Sequence, residues 1–153
     1  MDVRLRPARL ALFGVALGLA ACGEDPGLEG SIGKTVPLDF NQTSFKKQGD
    51  FLLVEYLRRT AAATEIMCKL AADISAINDD RIFAGQRFLD HVTLTRATLD
   101  ETRFPPIRRG TLRLGELAFE HGGDVSGSFH VEFIDDETLD GSFSGTLVEI
   151  TVK

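Results

Sequence analysis

The sequence predicts a mainly β protein, an antiparallel β-sandwich or barrel-like domain over residues 35–153. Apolar and polar residues alternate over most of residues 111–147, as expected of strands that bury one face. Clusters of glycine and aspartate separate these stretches and favour hairpin turns. Phenylalanine, with 11 copies against one tyrosine and no tryptophan, is expected to be the main large core residue.

Residues 1–21 have the three parts of a secretory signal peptide. Three arginines among the first nine residues form a positive segment, an apolar run follows from Leu10, and the small residues Ala20 and Ala21 mark a cleavage site. The apolar run is shorter than the ~20 residues that a membrane-spanning helix needs. We therefore expect residues 1–21 to be removed during export.

The end of this segment, Leu19-Ala20-Ala21-Cys22, resembles the lipobox of bacterial lipoproteins. The resemblance implies cleavage between Ala21 and Cys22, a diacylated Cys22 thiol and an acylated new N-terminus, typically with palmitate. Several acyl chains give stable anchoring, whereas a single chain holds a protein only marginally. Gly23 stands where an aspartate favours inner-membrane retention in Gram-negative bacteria, so the resemblance implies an outer-membrane location.

Removing residues 1–21 leaves 132 residues, with 14 basic and 22 acidic side chains and a net charge of −8. This length suits a single domain with one core. An acidic domain is not expected to bind nucleic acid or to grip anionic lipid through a basic surface. We expect the N-terminal lipid to make the membrane contact, and we expect no cofactor.

Two short segments are expected to lead into the domain. Residues 22–34 are rich in glycine and contain Pro26, which predicts a lipid-anchored flexible tether. Thr35–Phe40 predicts an edge strand, because Pro37 lacks the backbone N–H that a central strand would use. The ordered domain is therefore expected to begin at residue 35.

Residues 51–77 fit two structures. Apolar residues lie at helical spacing and the composition is rich in alanine, which favours a helix over 61–75. Leu52, Val54 and Tyr56 also alternate with their neighbours, as in a strand. We favour two strands joined by a turn within 58–64, because the rest of the domain is β, and we keep the helix as the alternative.

The middle of the chain predicts a turn, a strand and a connector. Asn78–Asp80 has turn composition, and alternation over 88–97 predicts a strand. Phe104–Gly110 predicts a stiff, irregular connector, because two prolines restrict the backbone. Its Arg108 and Arg109 are expected to be solvated, with a contact point as the alternative.

Strong strand patterns follow Thr111. Leu112 and Leu114 share one phase and Leu117 the other, so Gly115-Glu116 predicts a bulge or tight bend. Gly122-Gly123-Asp124 has turn composition.

The last strands contain an internal repeat. Gly127-Ser128-Phe129 and Gly141-Ser142-Phe143 predict the two arms of a hairpin, with residues 135–141 reversing the chain. Phe129 and Phe143 are expected to point inward. The alternation changes phase at Val148, which predicts a second bulge or burial on both faces.

Residues 104–147, read as FPPIRRGTLRL, a glycine-rich turn, VSGSFHVEF, an acidic turn and LDGSFSGTL, resemble the C-terminal half of small all-β lipoproteins of Gram-negative bacteria. The resemblance covers roughly 50 residues in addition to the signal peptide. It implies a sandwich or barrel-like fold and brings no catalytic residues.

The acidic turn at 135–141 contains the best metal candidates of the sequence. Asp135, Asp136 and Asp140 are candidate calcium ligands, because carboxylate oxygens are what calcium prefers. Leu147 stands where a calcium loop would carry its bidentate glutamate. We therefore expect a solvated turn without a bound metal.

Other reactive side chains form no recognisable motif. His91, His121 and His130 lack the spacing of metal ligands. Cys68 has no histidine near it in sequence to act as a base, so we expect it to be a small buried hydrophobic residue.

These observations predict a lipid-anchored protein of the bacterial cell envelope. We expect its domain to be a non-enzymatic binding or structural module that contacts a protein, a glycan or a hydrophobic ligand through a sheet face or edge. The alternative is an envelope enzyme, or a weak calcium-binding module, whose site forms only in the fold.

Overall fold

The computed structural model describes residues 25–150, with side chains through Val148. The predicted signal peptide, its cleavage site and Cys22 lie outside these residues. The described part is mainly β, which confirms the predicted fold class. Its strands are β1 (Gly27–Glu29), β2 (Gln42–Gln48), β3 (Phe51–Arg59), β4 (Thr64–Asp73), β5 (Ile82–Ala84), β6 (Val92–Ala97), β7 (Ile107–Leu117), β8 (Asp124–Phe133), β9 (Thr138–Thr146) and β10 (Val148–Ile150).

Three short helical elements accompany the strands. The α-helix α1 spans Gln86–His91, and 3₁₀ turns span Ser31–Lys34 and Ile74–Ala76. None of the helices within residues 25–150 has the length and apolar character needed to cross a membrane.

The strands form two five-stranded sheets. The first sheet has the order β1-β9-β8-β7-β5, and the second has the order β10-β2-β3-β4-β6. Pairing is antiparallel, except that β10 runs parallel to β2. Across residues 25–150 the sheets do not close into a barrel. Of the two predicted architectures, the structure therefore agrees with the β-sandwich.

The core lies between the sheets and is filled by aromatic and aliphatic side chains. Tyr56 of the second sheet is fully buried, and its hydroxyl donates a 2.7 Å hydrogen bond to the carbonyl of Ser142 in the first sheet. Its ring packs edge-on to Phe129, with 6.4 Å between centroids. Cys68 is fully buried in this core, as predicted.

The ambiguous segment 51–77 forms the hairpin of β3 and β4, which confirms the preferred prediction and excludes the helix over 61–75. The chain turns at Thr60, whose N–H donates to the carbonyl of Ala63. Leu52 and Val54 face the core on β3, and Leu70 of β4 lies opposite Val54. The strand-like alternation decides the structure over the helical spacing, because both strands bury one face against the first sheet.

The start of the domain differs from the prediction. Gly27–Glu29 is not part of a tether: it pairs with β9 as strand β1. Ile32 follows in a 3₁₀ turn and is fully buried. These residues are recruited by long-range contacts, which composition does not reveal, so the ordered domain begins about eight residues earlier than expected.

The predicted edge strand at Thr35–Phe40 is also wrong. The 3₁₀ turn ends at Lys34, Val36 is buried in the core, and the strand begins only at Gln42. Pro37 does not enter a ladder, and its carbonyl instead accepts a hydrogen bond from the side chain of Arg96.

The strand predicted over 88–97 is correct only from Val92. Helix α1 occupies the first half and begins after Gly85, whose φ of 58° few other residues adopt readily. Phe88 is fully buried and lies over Gly110, where an added Cβ would come within 2.4 Å of its ring. A helical turn places this ring in the core, which a local alternation pattern does not show.

The connector predicted at Phe104–Gly110 is shorter than expected, because β7 begins at Ile107, directly after the second proline. The predicted bulge at Gly115-Glu116 is confirmed by a register shift between Leu114 and Leu117. The turn predicted at Asn78–Asp80 is confirmed as well.

The repeated Gly-Ser-Phe segments are the paired arms of β8 and β9, as predicted. Ser128 lies opposite Ser142, and each phenylalanine lies opposite the glycine of the other arm. A Cβ on Gly141 would come within 2.2 Å of the Phe129 ring, so the ring covers the space that glycine leaves. The repeat therefore fixes both the register and the packing of this hairpin.

The change of phase predicted at Val148 does not bring that residue into the core, because Val148 is 47% exposed. Strand β9 ends at Thr146 in the first sheet, and β10 begins at Val148 in the second. Leu147 between them is buried. The chain crosses from one sheet to the other at this point.

Candidate functional site

The three candidate calcium ligands do not converge. Asp136 accepts a 2.5 Å hydrogen bond from Arg108, and Asp140 lies 2.6 Å from His130. Asp135 accepts only the backbone N–H of Glu137, at 3.2 Å. Residues 25–150 contain no group of three histidine, cysteine or acidic side chains that could hold a metal ion.

The remaining candidates are also separate. His91, at the end of α1, lies 3.5 Å from Asp73 at the end of β4, whereas His130 is on β8 in the other sheet. The Cys68 thiol is enclosed by the core, and burial raises its pKa well above the usual range. Cys68 is therefore not available as a nucleophile. Ala21 and Cys22 lie outside the described residues.

An open groove of about 360 Å³ lies on the outer face of the first sheet and is the best candidate site. Its polar lining alternates along the strands with residues that fill the core, so both faces of the same strands are used. We call it the sheet-face groove; its polar side chains are Glu29, Thr111, Arg113, Ser128, His130, Asp140 and Ser142.

Strand register assembles this lining. Arg113, Ser128 and Ser142 form one row across β7, β8 and β9. Thr111, His130 and Asp140 form the next row, in which directly opposed side chains are close enough to interact. Three segments distant in sequence thus present hydroxyl, imidazole, guanidinium and carboxylate groups side by side.

His130 is held between two carboxylates. Its Nδ1 lies 2.6 Å from an Asp140 oxygen, and its Nε2 lies 3.6 Å from an oxygen of Glu132. The hydrogen bond to Asp140 is the main cause that raises the pKa of His130 above its usual 6.5. The imidazole is therefore stabilised in its cationic form.

Glu132 is the centre of a wider charge network. Its carboxylate accepts hydrogen bonds from Arg109 at 2.6 Å and from Arg108 at 2.9 Å. These bonds, with that of Arg109 the strongest, lower the pKa of Glu132 to about 2. The hydrogen bond with Glu132 also raises the pKa of Arg108, which binds Asp136 as well. Arg108 and Arg109 are exposed, as predicted, and they also form ion pairs with Glu132.

This arrangement does not suit a serine nucleophile. A serine nucleophile needs a histidine nitrogen that is free to take its proton, and both ring nitrogens of His130 face carboxylates. Ser128 in the same groove therefore lacks an activating base. The network instead fixes His130 and Asp140 as oriented polar groups on a rigid sheet.

Arg113 is the main group that sequence reasoning missed. It is exposed in the groove and makes no hydrogen bond or ion pair with other residues that the structure describes. Its guanidinium carries five N–H donors, and none of them has an acceptor among the described residues. Alternation shows that Arg113 faces away from Leu112, but only the register of β7 on β8 places it beside Ser128.

Comparisons with protein-family models, with curated proteins and with solved structures found no match for this chain.

Proposed function

We propose that this chain is a lipid-anchored protein of the bacterial envelope, and that its sandwich is a non-enzymatic binding module. The sheet-face groove is its binding site. The observation that carries this proposal is the unpaired Arg113 beside two rows of oriented polar side chains in an open groove. The lipobox-like residues around Cys22 support the anchor.

The chemistry of the groove favours a glycan that carries carboxylate groups. Arg113 suits a carboxylate, because its planar donors match both oxygens. Thr111 and Ser128 offer hydroxyls that donate to or accept from sugar hydroxyls, and Asp140 offers a fixed acceptor. The exposed side chains in these rows are polar, so a hydrophobic ligand would leave them without partners.

The early start of the domain brings the groove close to the proposed anchor. Strand β1 forms one wall of the groove and begins at Gly27. A fully extended chain from Cys22 to Gly27 reaches at most about 18 Å, whereas a tether ending at Thr35 would reach about 45 Å. The ligand is accordingly expected to lie at the membrane surface rather than far from it.

Titration of the lipidated protein in detergent micelles with an oligogalacturonate tests the groove. The expected result is saturable binding that Arg113→Ala weakens by about tenfold, the loss of one charge-assisted contact. Arg59→Ala is the matched control, because Arg59 is an exposed, unpaired guanidinium at the end of β3 in the second sheet. Equal affinities of the two variants, or no binding, would refute the groove as a glycan site.

Two single cysteine variants test the lipid anchor. Cys22→Ala should abolish labelling by a palmitate analogue and move the protein to the soluble fraction. Cys68→Ala is the control, because Cys68 is enclosed in the core and should leave labelling unchanged. Persistent labelling of the Cys22→Ala protein would show that the anchor assignment is wrong.

A further inference from the structure

A second cavity, of about 590 Å³, lies at the edge of the second sheet, between β6 and the segment that follows it. We call it the loop cavity. The side chains in its wall that matter below are Arg96, Thr98, Thr102 and Arg103. It is separate from the sheet-face groove, whose lining belongs to the first sheet and β1.

Arg96 is a buried cation without a carboxylate in contact among residues 25–148. Only 8% of the residue is exposed. Its Nη1 donates to the carbonyls of Pro37 at 2.7 Å and Met67 at 3.1 Å, and its Nε donates to Thr102 Oγ1 at 3.1 Å. Its Nη2 has no acceptor and is shielded from solvent. A buried polar group without a partner is rare and costly.

A neighbouring arginine shows what this edge of a guanidinium normally binds. Nε and Nη2 of Arg58 both donate to one carboxylate oxygen of Glu65, at 2.9 and 2.7 Å. In Arg96 the same edge meets a single hydroxyl. Because the guanidinium is planar, Nε–H and the adjacent Nη2–H point the same way, so the vacant donor lies on the Thr102 side, where the cavity wall is.

We propose that the loop cavity binds a small oxyanion, a carboxylate or a phosphate, on the Nε and Nη2 edge of Arg96. The anion takes the place of the Thr102 hydroxyl on Nε and supplies the acceptor that Nη2 lacks. The Thr102 hydroxyl already donates a 2.8 Å hydrogen bond to Asp100, so it has another partner when it leaves Nε. Arg103 is exposed at the cavity, makes no hydrogen bond or ion pair with the described residues, and is the second cation of the site.

Two carboxylates near Arg96 are engaged elsewhere, whereas Glu101, which also lines the cavity, is exposed and makes no side-chain hydrogen bond or ion pair with the described residues. Glu65 accepts from Arg58 and from the backbone N–H of Leu99. Asp100 accepts on one oxygen from Thr98 at 2.5 Å and from Thr102. Neither carboxylate contacts the guanidinium of Arg96, so the bidentate position remains for a ligand.

Titration of the ¹⁵N-labelled, lipidated protein in micelles tests the site. Sodium acetate and sodium phosphate are compared at constant ionic strength, with chloride as the reference. The expected result is a saturable shift of the Arg96 Nε–H signal and of the amide signals of residues 98–103. A response to acetate alone identifies a carboxylate site, and a response to phosphate alone identifies a phosphate site. No saturable shift with either anion would overturn the proposal and leave Nη2 to a buried water.

Three variants sharpen the result. Arg96→Lys keeps the charge but removes the fork, so it should weaken binding by about tenfold or more. Because this variant disturbs a buried site, Arg103→Gln on the exposed wall is the second test and should weaken binding by about threefold. Arg59→Gln, which removes an exposed, unpaired arginine that does not line the loop cavity, should leave the affinity unchanged. Equal affinities of Arg103→Gln and Arg59→Gln would contradict the two-arginine site.

Discussion

The outer faces of the two sheets have one feature in common but differ in how exposed it is. Each carries a carboxylate held by cations from neighbouring strands. Glu132 of the first sheet binds Arg108 and Arg109, whereas Glu55 of the second sheet lies 2.7 Å from Lys46 and 3.7 Å from Lys69. The side chain of Glu132 is 18% exposed and that of Glu55 only 8%.

The surroundings of the two carboxylates explain the difference. Leu53 and Leu57 flank Glu55 on the same face of β3 and are themselves buried, so this face is closed. Ser128 and His130 precede Glu132 on the outer face of β8 and line the open groove. The second face is therefore closed by its own side chains, while the first leaves polar groups exposed, as the proposed binding site requires.

The largest expected effect comes from breaking the core that both faces share. Phe129→Ala should lower the free energy of unfolding by about 3–5 kcal/mol, because it removes a buried ring that packs on Tyr56 and covers Gly141. Urea denaturation measures the change. Phe119→Ala is the control, since Phe119 is 48% exposed and should cost far less. A smaller loss for Phe129→Ala than for Phe119→Ala would contradict the packing described.

Removing each central carboxylate tests the comparison itself. Glu55→Ala should cost about 1–3 kcal/mol of unfolding free energy, because Lys46 and Lys69 lose their buried partner. Glu132→Ala should cost less, because its arginines remain exposed to water. Both values come from urea denaturation at neutral pH. The reverse order would show that the first sheet, not the second, depends on its central carboxylate.

A smaller expected effect is the pH dependence of stability that His130 and Glu132 give to the first sheet. Because the folded-state pKa of His130 is raised above 6.5, its contribution to stability is complete below that pH and is lost as the pH rises through the raised value. Glu132, with a pKa lowered to about 2 from 4.5, contributes above pH 4.5 and loses this contribution as the pH falls through about 2.

The melting temperature followed against pH measures both contributions. His130→Gln should flatten the profile on the alkaline side and leave the acid side largely unchanged. Asp140→Asn should lower the pKa of His130 in an NMR titration, because it removes the main cause of the shift. An unchanged pKa of His130 in Asp140→Asn would contradict the hydrogen bond assigned between them.

The sequence alone was sufficient where strands pair with their neighbours in the chain. The alternation and the Gly-Ser-Phe repeat predicted the hairpin of β8 and β9, and Phe129 and Phe143 point inward as expected. The prediction failed at Gly27–Glu29 and around Phe88, because both are placed by contacts with residues far along the chain.

The candidate site was harder to predict than the fold. Asp136 and Asp140 are close in sequence, but Asp136 lies in the turn and Asp140 lies on the strand, opposite His130. Arg113 and Arg96 were overlooked because their importance depends on register and on a missing partner. Neither property can be read from a local pattern of residues.

Mass spectrometry of the mature protein, purified from membranes, tests the central claim most directly. The expected result is an N-terminus at Cys22 with two acyl chains on the thiol-linked glyceryl group and one on the α-amino group. An unmodified N-terminus at any other residue would contradict it, because the anchor and the membrane-proximal groove both depend on a lipid at Cys22.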